Sequence, residues 1–163
     1  MIQGLFNVKD DEWVVMVGRY VLNMGVVEMA THLLIDRIEG TDAVAHSSGL
    51  DPRLGFIRKR FPRKDAARHK WAMNVLQVAA KHAGFRNIVA HSPIVIASRA
   101  DGSYEIIGIV NRTPKSMDNI TQLISLEELK GRVDESAVVG RQLLEMQVDF
   151  AALDEPSHPK PSK

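Results

Sequence analysis

Three polar side chains, Arg86, Asn87 and His91, interrupt an otherwise apolar, helix-forming stretch in the middle of the chain. Polar groups in such a stretch are costly to bury unless they have partners or a task. An arginine can hold a phosphate group, and a histidine can accept and release a proton near pH 7. The combination indicates phosphodiester chemistry. The purely structural alternative is a histidine hydrogen-bonded at a helix end, with the arginine in a surface salt bridge.

Helical spacing places Asn87 and His91 on one face together with Ala80 and Gly84, while Arg86 points away from that face. Two of these residues are small, so we expect another helix to approach here, in the same subunit or in a second one. Gly84 costs roughly 1 kcal/mol of helix stability relative to alanine, which a packing role would explain. His91 is expected in the last helical turn, where the negative end of the helix dipole favours its protonated form.

The first predicted helix carries an acid, Glu28, in a row of residues seven apart that is otherwise apolar: Val14, Val21 and Ile35. A buried carboxylate needs a cationic or hydrogen-donating partner. We expect Arg86 to be that partner, because adjacent antiparallel helices would bring the two side chains together. Such a pair would hold the guanidinium in place for a reaction, or it would be purely structural; the sequence favours neither.

A basic segment between Arg58 and Lys70 has seven cations against one acid. The cations are Arg58, Lys59, Arg60, Arg63, Lys64, Arg68 and Lys70, with the aromatic residues Phe56, Phe61 and Trp71 interleaved. A basic segment with nearby aromatics can follow a phosphate backbone and stack bases, which predicts RNA binding. The alternative is a solvated helix end whose aromatic rings are turned inward.

The remaining histidines are not spaced as metal ligands. No two of His32, His46, His69 and His158 are three or four residues apart, so we expect no metal site. Glycine-rich phosphate loops and nucleophile elbows are absent from the sequence, and we expect no cofactor. His82 lies in an apolar helical row and is expected to be a hydrogen-bonded core residue.

The amino-acid composition limits the classes of protein to which this chain can belong. With 163 residues, 45% of them hydrophobic and 25% charged, the chain is long enough for one domain with a substantial core. It has no cysteine, which excludes disulfides and thiolate metal sites and favours a reducing cytoplasm. The first residues do not resemble a secretory signal, and no stretch approaches the roughly 20 apolar residues of a membrane span. We therefore expect a cytoplasmic protein without a membrane partner.

Apolar residues spaced alternately by four and three predict long helices over residues 11–39 and 64–92, with a short helix over 54–60 between them. The row in the first helix is Trp13, Val17, Tyr20, Met24, Val27, Thr31, Leu34 and Ile38. A capping box, Ser125 to Glu128, predicts a last helix that runs to about residue 153.

Two β-branched runs around Asp101 and Gly102 predict a β-hairpin at about residues 94–110. The polar, proline-rich residues 154–163 are predicted to be a disordered tail. The expected fold class is therefore all-α: a single domain over residues 1–153, built as an up-and-down helical bundle with a small hairpin before the last helix.

The segment Arg86 to His91 resembles the signature of the HEPN domain (higher eukaryotes and prokaryotes nucleotide-binding), a superfamily of helical bundles. That signature is an arginine, usually followed by a polar residue, then four to six intervening residues and a histidine. The chain is more specifically similar to small bacterial HEPN-like proteins of poorly defined function. The features shared with them are Gly18 and Glu28 in the first helix, Ala90-His91-Ser92, a hairpin with Asp-Gly, and Leu126 to Leu129 in the last helix. The resemblance covers about Glu12 to Phe150.

This resemblance implies a metal-independent endoribonuclease, commonly a two-fold dimer with both copies of the motif in one cleft. His91 would be the acid and base for attack of a ribose 2′-hydroxyl on the adjacent phosphate, and Arg86 would stabilise the charge developing there. Asn87 would position the phosphate or the histidine, and the basic segment would steer RNA. The products would be a 2′,3′-cyclic phosphate and a 5′-hydroxyl.

The same resemblance leaves two roles open. The first is a toxin or defence effector with an antitoxin or other protein partner. Some toxin members have a tyrosine two residues after the histidine, which a partner enzyme modifies, whereas Pro93 stands there in this chain. The second is a non-catalytic HEPN-like dimer that binds a nucleotide, a nucleic acid or a partner protein.

Overall fold

A computed structural model of the chain describes residues 11–39, 49–91, 94–98, 104–108 and 122–151. Along the chain these form α1 (Asp11–Glu39), α2 (Leu50–Arg60), α3 (Ala66–His91), β1 (Ile94–Ser98), β2 (Tyr104–Gly108), β3 (Gln122–Ser125), α4 (Leu126–Glu145) and α5 (Gln147–Ala151). The helices pack around one hydrophobic core, which confirms the predicted all-α bundle. The predicted turn at Asp101 and Gly102 and the predicted tail, residues 154–163, lie outside the described residues.

Helix α1 is the central element of the core and makes its most extensive contact with α4. Its predicted apolar row is buried as expected, with Tyr20, Met24 and Leu34 among the largest fully buried side chains. The close approach of α4 depends on Gly140, because a Cβ added there would lie 3.1 Å from Cγ1 of Val26. The spacing of apolar residues therefore predicted both the length of α1 and the face that it buries.

The row that contains Glu28 is not uniformly buried. Val14 and Val21 are 45% and 47% exposed, whereas Ile35 is fully buried. Residues seven apart on a straight helix drift by about 20° per heptad, so the row crosses obliquely from the solvent to the core. Glu28 lies on this row where it enters the core and is half-buried.

Helix α1 is also long and apolar enough to cross a membrane by length and composition, with a mean hydropathy of 1.2 over its most apolar window. The sequence had suggested no such segment, because charged residues such as Arg19 and Glu28 interrupt a continuous apolar run but change a window average little. In the structure 28% of that window is buried inside the protein. A core helix of a folded protein and a signal sequence near an N-terminus both meet this criterion.

Helix α2 begins at Leu50, four residues before the predicted start. Pro52 had been assigned to the preceding loop, but proline is tolerated in a first helical turn, where its missing N–H has no intrahelical partner to lose. Gly49 is the N-cap residue, with an extended backbone (φ −64°, ψ 174°) and no side-chain cap. The earlier start brings Arg53 into the helix, where it is buried beside Leu54 and Ile57.

Helix α4 begins as predicted, since the Ser125 hydroxyl accepts a hydrogen bond from the Glu128 N–H at 3.1 Å. It ends at Glu145 rather than near residue 153, and α5 follows after Met146. The break allows the C-terminal segment to make two anchoring contacts. Phe150 packs edge-on against Phe61 at 5.4 Å between ring centroids, and Asp149 pairs with Arg68 at 2.9 Å.

The three strands form one antiparallel sheet in the order β1-β2-β3. In the first pair Ile96 lies opposite Ile106, and in the second Ile106 lies opposite Ile124. The third strand was not predicted, because four residues are too few to show an alternating pattern. It leads directly into α4 and so connects the sheet to the bundle.

Candidate functional site

An open cleft of ≈ 340 Å³ lies where α1, α2 and α3 meet. Helix α1 contributes Glu28, the start of α2 contributes residues 49–53, and α3 contributes Ala83, Arg86 and Asn87. Three separate helices thus bring charged and amide side chains to one solvent-accessible space. Arg86, Asn87 and Glu28, all singled out from the sequence, lie together in it.

Glu28 and Arg86 form an ion pair, as the sequence predicted, with Nη2 of Arg86 2.7 Å from Oε1 of Glu28. Arg86 also donates a hydrogen bond from Nη1 to Oδ1 of the neighbouring Asn87 at 3.2 Å. Both members of the ion pair are partly accessible, at 34% for Arg86 and 28% for Glu28. The guanidinium is therefore held from two sides and still reaches the solvent of the cleft.

A second arginine in the cleft, Arg53, was missed by the sequence analysis. It is only 4% exposed. Its Nη1 contacts Nε2 of His32, and its Nε donates to the Gly49 carbonyl at 3.4 Å. Burial lowers the pKa of Arg53; the Glu28 carboxylate opposes this shift and the Arg86 guanidinium adds to it. The two arginines and Glu28 therefore form one electrostatically coupled group.

A signal for Arg53 was present in the sequence. Arg53, Ile57 and Phe61 are four residues apart, and all three are buried. A charged residue in an otherwise apolar row also singled out Glu28 on α1, where the spacing was seven. The pattern went unnoticed because the helix was expected to begin only at Leu54.

His91 is the last residue of α3, five positions after Arg86 and so roughly 7.5 Å farther along the helix axis. Its side chain lies outside the described part of the structure. The described side chains therefore include Arg86 and Asn87 of the motif, together with Glu28, which pairs with Arg86. The position of the imidazole relative to the cleft stays a prediction.

The face of small residues on α3 is only partly covered within the described chain. Ala80 packs against the hydrophobic core, whereas Gly84 and Asn87 are exposed, and a Cβ added to Gly84 would have no atom within 4 Å. Among the described residues, the expected close helix contact is therefore absent at Gly84. The other alternative, a contact between two subunits, stays a prediction.

A second polar cluster lies where α1, α3 and α4 meet, and its members are Tyr20, His82 and Glu135. His82 is 2% exposed; its Nε2 lies 3.0 Å from Oε2 of Glu135. The Tyr20 hydroxyl lies 3.2 Å from Nδ1 of His82 and 3.0 Å from the His82 carbonyl oxygen, to which it donates. The prediction that His82 is a hydrogen-bonded core residue is confirmed.

Burial dominates the titration of this second cluster. It raises the pKa of Tyr20, and it lowers the pKa of His82 against the opposing effect of the Glu135 carboxylate. A neutral His82 fits the contact with Glu135, since its Nε2 can then donate to that carboxylate. These three residues support one another and line no part of the cleft.

Six cations of the basic segment are exposed: Arg58, Lys59, Arg60, Arg63, Lys64 and Lys70. The seventh, Arg68, pairs with Asp149, and its guanidinium lies 3.6 Å from the centroid of the Trp71 ring. Arg60 covers Phe56 in the same way at 3.7 Å, and Phe61 is buried. The rings are therefore turned inward or covered, as in the alternative interpretation, while the side chains of Arg58, Lys59, Arg63, Lys64 and Lys70 are exposed to solvent.

Among the described residues, no group of three histidine, aspartate or glutamate side chains is placed to hold a metal ion. Comparisons with protein-family models, with characterised proteins and with solved structures find no match to this chain. The resemblance to HEPN domains therefore depends on the motif and on the order of the elements alone.

Proposed function

We propose that this protein is a metal-independent endoribonuclease of the HEPN type, with its site at the cleft between α1, α2 and α3. The observation that carries the proposal is the placement of Arg86. Its guanidinium is held by Glu28 and Asn87 at the edge of an open cleft, and it keeps access to solvent. Guanidinium groups held in this way bind phosphate oxygens with two parallel hydrogen bonds.

In the proposed reaction the ribose 2′-hydroxyl attacks the adjacent phosphorus, and the bond to the 5′-oxygen breaks. His91 accepts the proton of the 2′-hydroxyl and supplies a proton to the departing 5′-oxygen. Arg86 stabilises the negative charge that develops on the phosphate oxygens, while Asn87 positions the phosphate or the histidine. The products are a 2′,3′-cyclic phosphate and a 5′-hydroxyl, and the step needs no metal ion.

Glu28 supports the reaction without contacting the substrate. A long arginine side chain loses conformational entropy when it is held in one position. Because the ion pair with Glu28 already holds Arg86, the substrate does not have to order this side chain when it binds. The exposed cations of residues 58–70 attract the RNA backbone and raise its concentration near the cleft. A cytoplasmic homodimer acting as a toxin or defence effector, with an antitoxin as its partner, is the biological setting that we propose.

A specific observation also favours a second candidate, a non-catalytic HEPN-like dimer that binds a nucleotide, a nucleic acid or a protein. The outer face of α1 carries large apolar side chains that are exposed to solvent. These are Val14, Val15, Val21, Leu22, Val26, Met29 and Leu33. Exposed apolar surface of this kind is typical of an interaction site. In such a module the ion pair of Glu28 with Arg86 would have a structural role only.

Cleavage of a mixed RNA substrate in the presence of EDTA tests the proposal. Wild-type protein is expected to leave 2′,3′-cyclic phosphate ends, and the His91→Ala variant is expected to leave the RNA intact while binding it with similar affinity. Glu28→Gln keeps the shape of the acid and removes its charge, and it should reduce cleavage less than His91→Ala does. Intact RNA with folded wild-type protein, or equal cleavage by His91→Ala, would favour the non-catalytic module.

A further inference from the structure

We infer that Arg53 is a second anion-binding residue and that the cleft receives one phosphate group between Arg53 and Arg86. The proposed function supplies the identity of this phosphate as part of an RNA chain. The anion site itself is argued from burial, charge and the shape of the cleft, and it does not require cleavage.

The first argument is the electrostatic position of Arg53. Its side chain is almost fully buried, and the hydrogen-bond partners that the described residues give it are the His32 ring and the Gly49 carbonyl. A buried cation is costly, and an anion beside it would offset that cost.

The second argument is the arrangement of acids around the cleft. Glu28, the half-buried carboxylate, is already in contact with Arg86. The other acid that lines the cleft, Asp51, is exposed in the first turn of α2. Among the described residues that line the cleft, the two guanidinium groups therefore share one inner carboxylate. Asp51 opposes an incoming anion from the rim.

The third argument is geometric. Arg53 comes from α2 and Arg86 from α3, so they lie on different helices that line one space of ≈ 340 Å³. This volume is within the range of small-molecule sites and exceeds what a single phosphate group needs. A planar guanidinium group can donate two parallel hydrogen bonds to the oxygens of one phosphate. The contacts with His32 and Gly49 hold the side chain of Arg53 in place before a phosphate binds. Arg53 therefore holds and orients the phosphate, while Arg86 meets the developing charge.

Titration of the full-length protein with inorganic phosphate at constant ionic strength, followed by calorimetry and by amide chemical shifts, tests the inference. Arg53→Gln and Arg86→Gln should each weaken phosphate binding roughly tenfold or more, since each removes a charged hydrogen-bond donor. Asp51→Asn should tighten binding by about two- to fivefold, because it removes repulsion at the rim. Arg141→Gln, an exposed arginine on α4 that does not line the cleft, is the matched control and should bind as the wild type does.

The design separates folding from binding. If Arg53→Gln unfolds, Arg53→Lys and Asp51→Asn still decide the question: Asp51→Asn acts by charge alone, and Arg53→Lys keeps the charge without the paired donors. Unchanged affinity in Asp51→Asn together with unchanged affinity in a folded Arg53 variant would overturn the inference. Absence of phosphate binding by the wild-type protein would overturn it as well.

A further arm distinguishes the two sources of the phosphate. A nucleoside 5′-monophosphate and an RNA oligonucleotide with a 2′-O-methyl group on every ribose are compared as ligands, and neither can be cleaved by 2′-hydroxyl attack. Tighter binding of the oligonucleotide, weakened by Arg53→Gln, supports an RNA phosphate. Preference for the mononucleotide overturns the RNA assignment. If phosphate binding depends on Arg53 but the protein cleaves no RNA, the anion site is supported and the proposed function is overturned. If the protein cleaves RNA and neither binding nor cleavage depends on Arg53, the proposed function is supported and the anion site is overturned.

Discussion

Two polar clusters lie between the same helices, α1 and α3, and they are built in opposite ways. In the buried cluster the rings of Tyr20 and His82 are hydrogen-bonded and withdrawn from solvent, while the Glu135 carboxylate that contacts His82 is 57% exposed. In the cleft, Arg86 and Glu28 pair with each other, and both stay partly accessible. Buried, hydrogen-bonded rings help to specify the packing of a core, whereas a guanidinium group that is held but still open is suited to a ligand.

Position along α1 and α3 does not distinguish the buried cluster from the cleft. His82 and Arg86 are four residues apart on α3, and Tyr20 and Glu28 are eight apart on α1. What differs is the third element. Helix α4 supplies Glu135 and covers one end, while α2 approaches at the other end and leaves a space. A polar residue in an apolar helix therefore acquires its role from the neighbour that packs over it.

The largest effect is expected from Arg86→Gln, which should reduce RNA cleavage by about 10²- to 10³-fold because it removes the charge that stabilises the transition state. Initial rates on a labelled RNA in EDTA measure this. Tyr20→Phe, in the buried cluster, is the matched variant and should cleave at the wild-type rate. If Arg86→Gln cleaves RNA as fast as an active wild-type protein does, the cleft and the buried cluster do not differ in their importance for cleavage.

Tyr20→Phe should instead lower the free energy of unfolding by about 1–3 kcal/mol, because it leaves the buried carbonyl oxygen of His82 without this donor. Equilibrium unfolding in urea, followed by circular dichroism, measures the difference. Lys81→Gln, at an exposed position next to His82 on α3, should stay within about 0.5 kcal/mol of the wild type. An equally small change in Tyr20→Phe would show that the buried cluster contributes little to stability.

The buried cluster should also make stability depend on pH. In the unfolded chain a histidine has a pKa of 6.5, and burial lowers the pKa of His82 in the folded protein. The unfolded state then binds more protons, so the free energy of unfolding is fully retained above about pH 6.5 and falls as the pH drops below it, by at most about 1.4 kcal/mol per pH unit.

Urea unfolding at about pH 7.5 and about pH 5.5, with wild type and His82→Gln side by side, isolates this contribution. The groups that face His82 are Tyr20, Glu135 and Arg132, and all three are kept in the variant. The pH dependence should be shallower in His82→Gln. Identical slopes for the two proteins would assign the acid sensitivity to other groups.

The smallest effect concerns Gly84, which lies on α3 between the two clusters and has open space around it. Gly84→Ala should raise the free energy of unfolding by up to about 1 kcal/mol through helix propensity. Gly140→Ala is the contrast, since its added methyl group would meet Val26 at 3.1 Å and offset that gain. If Gly84→Ala instead destabilises the protein, or lowers its apparent size in size-exclusion chromatography, a second subunit packs against this face of α3.

Much of this fold could be predicted from the chain, because long apolar rows fix both the extent of a helix and the side that it buries. The bounds of α1 and the burial of His82 were predicted from spacing alone, and the pairing of Glu28 with Arg86 followed from the cost of an unpaired acid. The break at Met146 and the early start of α2 were not predicted, because both depend on tertiary contacts of a few residues. Arg53 was missed because α2 was expected to begin only at Leu54, although its spacing from Ile57 and Phe61 is visible in the sequence.

The wall of the cleft formed by α2 has a consequence for hydrogen exchange. Helix α2 has 11 residues, lacks a side-chain cap at Gly49 and is anchored through Arg53, Leu54 and Ile57. A short, uncapped helix opens locally at a lower free energy than the whole domain unfolds. An anion bound between Arg53 and Arg86 would connect α2 to α3, so the amide protons of Leu54 and Ile57 would become slow-exchanging reporters of an occupied cleft.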